Sequence, residues 1–280
     1  MSRRRPLLLI APAAGLIFFF VMLPYINVLV MSLRMPGADG KPYGPGFGME
    51  AYAQFFAENY YLSALPHTLW LGIVTTAVCL VLGYPLALHI ATASRRWRGL
   101  LYGIVLSPLL VGIVIRSYGW TILLGNTGVI NKTLKDLGII TRPLKLMYND
   151  FGVVLALAHV FLPFMVLPLL ASLQGIDPAI GQAARSLGAS RLTVFRRVTF
   201  PVSMPGVQSG CILVFVLAIS SYVTPALIGG MRVKTTTILV VDALIDQFLW
   251  PFGSAMALVL AVSAGLIVIA FAMLTRMKWK

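Results

Sequence analysis

Apolar residues in this chain come in long unbroken runs, not at the alternating or three-to-four spacing of half-buried strands and surface helices. The first run, 7–33, holds no charged residue over 27 positions. As a helix rising ~1.5 Å per residue it reaches ~40 Å, more than the ~30 Å hydrocarbon core of a bilayer. Further runs lie at about 67–93, 99–124, 151–173, 208–228 and 254–275, with Arg116 the one charged residue in all of them. Each predicts a membrane-crossing helix, six in all. Prolines within them, such as Pro24, Pro85, Pro163 and Pro168, are tolerated where neighbouring helices or polar groups repair the backbone. The alternating segments of roughly ten residues that build a transmembrane β-barrel do not occur. The first run also exceeds the apolar core of a cleaved signal, about 7–15 residues, and reads as an uncleaved span.

Composition agrees with this reading. Hydrophobic residues make up 59% of the chain and charged ones 11%, where a soluble domain carries about 25% charged residues. The formal net charge of +14 would point to nucleic acid in a soluble protein, but its distribution points elsewhere. Six crossings put both termini on one side. That side holds Arg3, Arg4, Arg5, Arg95, Arg96, Arg98, Arg185, Arg191, Arg196, Arg197, Arg276, Lys278 and Lys280 against Asp177 alone. The other side balances eight basic residues with seven acidic ones, Asp39 among them. The positive-inside rule makes the basic side cytoplasmic. The basic excess is thereby explained by topology, and no nucleic-acid partner is expected. Cys79 and Cys211 sit in apolar runs and read as small hydrophobes. No internal repeat is visible, so 1–280 is expected to be a single transmembrane domain. Residues 35–48, rich in Gly and Pro, read as an external linker.

One cytoplasmic connection has start and stop chemistry of its own. Residues 174–207 read QGIDPAIGQAARSLGASRLTVFRRVTFPVSMPGV. Asp177 followed by Pro178 predicts a helix start, and Gly188 suits a left-handed stop. Ser190 is placed to cap a second helix, with Pro201 and Pro205 ending it. Taken alone, the segment also fits an amphipathic connector resting on anionic lipid. Its wording resembles the cytoplasmic coupling loop of permease subunits in binding-protein-dependent ABC importers, whose pattern is Glu-Ala-Ala, three residues, Gly, and a run closing on Pro. Gln182-Ala183-Ala184 precedes Gly188 at that spacing, with Ala189, Phe195, Pro201 and Pro205-Gly206 following. Gln182 stands where the pattern has Glu, which removes a charge that would pair with a basic residue of an ATPase.

The resemblance extends from about Pro66 to Pro251. Leu106-Ser107-Pro108, Arg116-Ser117-Tyr118-Gly119-Trp120, Gly128 and Asn131 look like spermidine/putrescine-type permeases, as do Phe161-Leu162-Pro163-Phe164, Ser221-Tyr222-Val223-Thr224-Pro225 and Trp250-Pro251-Phe252-Gly253. It implies an all-α type I importer permease fold in a bacterial inner membrane. The implied partners are two cytoplasmic ABC ATPases, a second and different permease, an extracytoplasmic solute-binding protein and membrane lipid. It also assigns coupling to the ATPase to Gln182, Ala183, Ala184, Leu187, Gly188, Ala189, Arg191, Leu192 and Phe195. The two alanines keep the helix thin enough to dock closely, and Leu192 or Phe195 supplies an apolar anchor.

The chain shows no nucleotide-binding G-x-x-x-x-G-K-[ST] motif, so no cofactor is expected on it, with ATP and Mg on the partner ATPase. His67, His89 and His159 are isolated in sequence and suggest no metal cluster. No catalytic triad is visible, and the chain is expected to be a non-catalytic subunit. On a straight helix Arg116 lies ~26 Å from the cytoplasmic end of its span. An intramembrane Arg faces a bundle interior or water-filled cavity, or else snorkels to the headgroups. Ser220, Ser221, Tyr222 and Thr224 form a polar patch at similar depth, which reads as a shared polar cavity or gate or else as helix–helix hydrogen bonding. Tyr118, Trp120 and Trp250 are either interface-belt aromatics or cation–π contacts for an organic cation. Together with Arg116 these residues, Trp250 aside, are the candidate substrate path. No Asp or Glu lies in any span, which weighs against a buried path for a dication. Amino-acid-like and opine-like solutes therefore stay open beside polyamines. A self-sufficient secondary transporter would predict buried carboxylates and repeat symmetry, and neither is found.

Overall fold

The computed structural model describes residues 5–37 and 41–277; Arg3, Arg4, Asp39, Lys278 and Lys280 of the charge comparison lie outside them. Among the described residues the regular structure is helical, apart from one isolated antiparallel bridge between Arg34 and Phe47. In chain order the helices are α1 (Arg5–Ser32), α2 (Glu50–Ala57), α3 (Asn59–Thr92), α4 (Arg95–Leu106), α5 (Ile113–Leu124), α6 (Val129–Asp136) and α7 (Asp150–Gln174). There follow α8 (Pro178–Ser186), α9 (Arg191–Val194), α10 (Phe200–Val202), α11 (Met204–Ile219), α12 (Val223–Gly229), α13 (Thr236–Val241) and α14 (Trp250–Met277).

Helices α1, α3, α7 and α14 are long and apolar enough to cross a bilayer unaided. Two bent pairs pass the same test together: 95–110 with 113–136, bent by 96°, and 191–202 with 204–219, bent by 63°. Counting each pair as one crossing gives six.

The third apolar run is thus not one helix. It breaks at 107–112, where a 3-10 turn, Ser107–Leu110, carries Pro108 in its first turn. Proline has no N–H for the carbonyl four residues back. Ser107 Oγ donates to that carbonyl instead, Ile104 O, at 2.9 Å. The fifth run breaks too. Helix α11 ends at Ile219, residues 220–222 unwind, and Pro225 falls in the first turn of α12, where a missing donor costs nothing. Depths reckoned along straight helices for Arg116 and for 220–224 therefore do not carry over.

The chain divides into two compact units, Met1–Ser63 with Leu239–Ser263, and Ala64–Ile238 with Ala264–Lys280. In the first, the Gly- and Pro-rich stretch expected to be a linker is pinned by backbone bonds from Met35 N to Gly46 O, Gly44 N to Met35 O and Gly48 N to Leu33 O, at 2.8–3.0 Å. The Arg34 guanidinium lies 4.3 Å from the Phe47 ring centroid, and Tyr43 stacks on Trp250.

The second unit is built around α7, whose Val153, Ala156, Met165 and Leu169 are fully buried. Its main neighbour is α11. Lipid is as apolar as leucine, so helices associate in it by close packing rather than by escape from water. Gly206 and Gly210 permit this approach: a Cβ on Gly206 would stand 2.7 Å from the Pro168 carbonyl oxygen, and one on Gly210 2.7 Å from Met165 Sδ. At the other end of α7, His67 bridges two oxygens, with Nε2 3.0 Å from Asp150 Oδ1 and Nδ1 3.1 Å from the Lys234 carbonyl.

Candidate functional site

Helix α5 starts afresh after the break at 107–112, and its side chains meet α7 and α12. Arg116 is half-buried. Its Nη1 donates to the Val160 carbonyl of α7 at 3.4 Å, while its Nε is buried without a partner among the described residues. One turn on, Trp120 donates its indole N–H to His159 Nδ1 at 3.1 Å, the two rings meeting edge to face. Between them Ser117 is fully buried and shares a 2.9 Å hydroxyl–hydroxyl hydrogen bond with Thr224 of α12, itself fully buried. Three helices thus converge on a cluster of one guanidinium, one imidazole, one indole and two hydroxyls.

Of the predicted path residues, the structure gathers Arg116, Trp120 and Thr224 here. Ser221 is buried with its hydroxyl unpartnered among the described residues. Ser220 turns its hydroxyl back to the Val216 carbonyl at 2.8 Å, serving the frayed end of α11. Tyr118 and Tyr222 are exposed, at 56% and 38%, and make no side-chain hydrogen bond or ring contact with the cluster. His159 and Ser117 are the residues that sequence reasoning missed. His159 read as isolated because its partner lies 39 positions away, while Ser117 sits inside a motif noted only for its neighbours. Asn131 is structural: it donates to the Gly125 and Leu144 carbonyls and accepts the Leu144 N–H, holding the loop after α6.

The segment between α7 and α11 has the expected caps. Asp177 accepts the Ala179 N–H at 2.8 Å, and Ser190 accepts that of Thr193 at 3.2 Å. Gly188 has φ +82°, in the left-handed region that favours glycine. Pro201 does not end the second helix. A π-helical turn, Phe195–Thr199, precedes α10; widening the turn absorbs the missing N–H, and the chain bends only at Ser203. Gln182, Ala183, Ala184 and Ala189 lie on or just after α8. Leu187 and Leu192 are exposed at 88% and 64%, and Arg191 is exposed as well. Phe195 instead packs inward against Tyr84 and Phe200, with centroids 5.6 and 6.2 Å away. Of the predicted coupling residues, that leaves Leu187 and Leu192 as the large exposed apolar side chains.

No family model matches the chain. It is 33% identical over 267 residues to the spermidine/putrescine transport system permease protein PotB of Escherichia coli strain K12, covering 94% of this chain and 95% of that one. To the protein of the same name from Haemophilus influenzae it is 33% identical over 260 residues, covering 91% and 88%. Among solved structures, the bacterial ABC transporter involved in the import of the acidic polysaccharide alginate aligns over 99% of this chain and 97% of its own, with TM-score 0.77 and 19% identity. The fold is that of an ABC importer permease, a multi-pass membrane protein. The chain belongs to the family of ABC importer permease subunits that includes PotB.

Proposed function

We propose that this chain forms one half of the membrane path of an ATP-driven importer for polyamines or similar small organic cations. The observation that carries the reading is the 33% identity to PotB over nearly the whole of both chains. A second, different permease completes the path, an extracytoplasmic binding protein delivers the solute, and two cytoplasmic ATPases bind ATP and Mg. The chain itself binds no cofactor and catalyses no reaction. Both termini lie in the cytoplasm of a bacterial cell, as the basic excess around α8 and the chain ends supports. Residues 182–195 dock on the ATPase, with Leu187 and Leu192 as anchors. Moving a two-state gate from 1:99 to 99:1 takes about 5.5 kcal/mol of differential interaction, which ATP binding and hydrolysis can supply.

The cluster of Arg116, Trp120, His159 and Thr224, together with Tyr118 on α5 and with Ser220, Ser221 and Tyr222 next to Thr224 in sequence, forms the wall of the path. A second reading has its own support. The cluster offers a fixed cation and hydrogen-bond donors but no carboxylate, which suits a solute bearing an anionic group, such as an amino-acid-like or opine-like compound.

Reconstitution of the complex in proteoliposomes, with ATP inside and the binding protein outside, tests both readings. ATP-dependent uptake of labelled spermidine or putrescine is expected. Uptake of an amino acid but of neither polyamine would select the second reading. Gradient-driven uptake by this chain alone, without an ATPase, would overturn the subunit assignment.

A further inference from the structure

Behind the coupling segment the second unit holds a cavity of about 600 Å³, bounded by the ends of α3 and α7, the start of α4, and helices α8 and α9. Its wall is of two kinds. Leu88, Leu173 and Val198 make an aliphatic side, while Arg98, Arg185 and Gln182 bring polar groups to the rim. Arg98 is held in place: its Nη2 donates to the carbonyls of Ala91 and Ala93 at 3.0 and 3.1 Å, closing the end of α3. Its remaining guanidinium N–H groups make no hydrogen bond among the described residues. The Arg185 side chain makes no hydrogen bond or ion pair among the described residues.

The one carboxylate in the lining, Asp177, already accepts the Ala179 N–H at the start of α8. Gln182 brings no charge. Two guanidiniums and one carboxylate thus line the cavity, leaving it a net positive charge beside its aliphatic groups. A guanidinium fork matches phosphate oxygens in pairs, and basic pockets at the cytoplasmic ends of membrane helices suit lipid headgroups. A ligand filling both halves needs a phosphate and a hydrocarbon chain. We propose that this cavity is a binding site for the phosphate group of an anionic phospholipid, whose acyl chain lies along the aliphatic side. The lipid then sits between the membrane core and the coupling segment and stiffens the seat of α8. The proposal rests on the cytoplasmic placement of α8 given under the proposed function.

Purified full-length protein, delipidated and reloaded with phosphatidylglycerol or phosphatidylethanolamine, is examined by native mass spectrometry. Retention of phosphatidylglycerol over phosphatidylethanolamine is expected. Arg185→Gln lowers that retention about tenfold, the scale of one lost charge-assisted hydrogen bond. Arg98→Lys, which keeps the charge and loses the fork, lowers it in part. Arg96→Gln, a change on α4 outside the lining, leaves it intact. Equal retention by wild type and Arg185→Gln, with both eluting as folded protein, overturns the site. Displacement of the lipid by millimolar inorganic phosphate overturns the lipid assignment and makes a soluble phosphate the occupant. A cysteine introduced at Ser186 separates the two readings: labelling from outside intact cells overturns the proposed orientation, whereas labelling only from inside leaves the lipid measurement to decide the site alone.

Discussion

Trp120 donates its indole N–H to Nδ1 of His159, binding α5 to α7 beside Arg116. An indole nitrogen only donates. Nδ1 must therefore accept with its lone pair, and the imidazole proton sits on Nε2, directed away from Trp120. The pair thus fixes a tautomer and presents one oriented donor. Trp120→Phe keeps an aromatic ring but removes the N–H donor, freeing the imidazole to turn. Transport kinetics in proteoliposomes should show KM raised by roughly two- to tenfold, the scale of one hydrogen bond, with the complex still assembled. Arg116→Ala should weaken uptake more strongly. Unchanged kinetics in both variants would reduce the cluster to helix packing.

The buried hydroxyl pair Ser117 and Thr224 allows a sharper test of what holds α5 to α12. Ser117→Ala strands the Thr224 hydroxyl in an apolar setting and should cost about 1–3 kcal/mol. Adding Thr224→Val to it should recover most of that loss, because no polar atom is then left unpaired. Thermal unfolding of the four proteins of this cycle in one detergent gives the coupling energy. Strict additivity would mean that the hydrogen bond is absent in the membrane.

At Gly206 even one added carbon meets backbone, 2.7 Å from the Pro168 oxygen and 3.2 Å from the Leu169 Cα. Gly206→Ala must push α11 off α7, at a cost of about 1–3 kcal/mol. Gly265→Ala on α14 adds the same carbon where nothing lies within 4 Å and should be neutral. Folded yield and Tm after extraction compare the two. Equal behaviour would show that the seam between α7 and α11 has slack.

Gly188 has open space around its Cβ position but a φ of +82°, so its requirement is one of backbone angle. A β-branched residue is a severe outlier there. Gly188→Val should swing α8 relative to α9 while leaving the membrane helices in place. The expected result is an assembled complex that hydrolyses ATP without uptake. Wild-type uptake in this variant would sink the docking role of residues 182–195.

The sequence shows best what depends on neighbours along the chain. Apolar runs mark the helices, and Asp177, Ser190 and Gly188 mark the ends of α8 and α9, because caps act within three residues. The breaks at 107–112 and 220–222 leave weaker marks, Pro108 with Gly112 and Pro225, which a proline-tolerant reading of membrane helices passes over. Pairings across the fold leave none. Trp120 with His159, Ser117 with Thr224 and His67 with Asp150 are 39, 107 and 83 positions apart, and only packing brings them together. The Gly206 and Gly210 spacing of four was legible as a close-contact signal, and reading Gly206 only as part of the Pro205-Gly206 close of the coupling-loop pattern concealed it.

That seam bears on how force enters the molecule. The chain leaves α7 at Gln174 and returns through Ser203, whose hydroxyl bonds Tyr84 of α3 at 2.8 Å, into α11 at the level where Gly206 faces Ser172. Both feet of the elbow therefore stand on the same close-packed pair of helices. A load applied at α8 would reach that pair from both sides of the Gly188 turn. It would bear on α7 and α11 together rather than on either helix by itself.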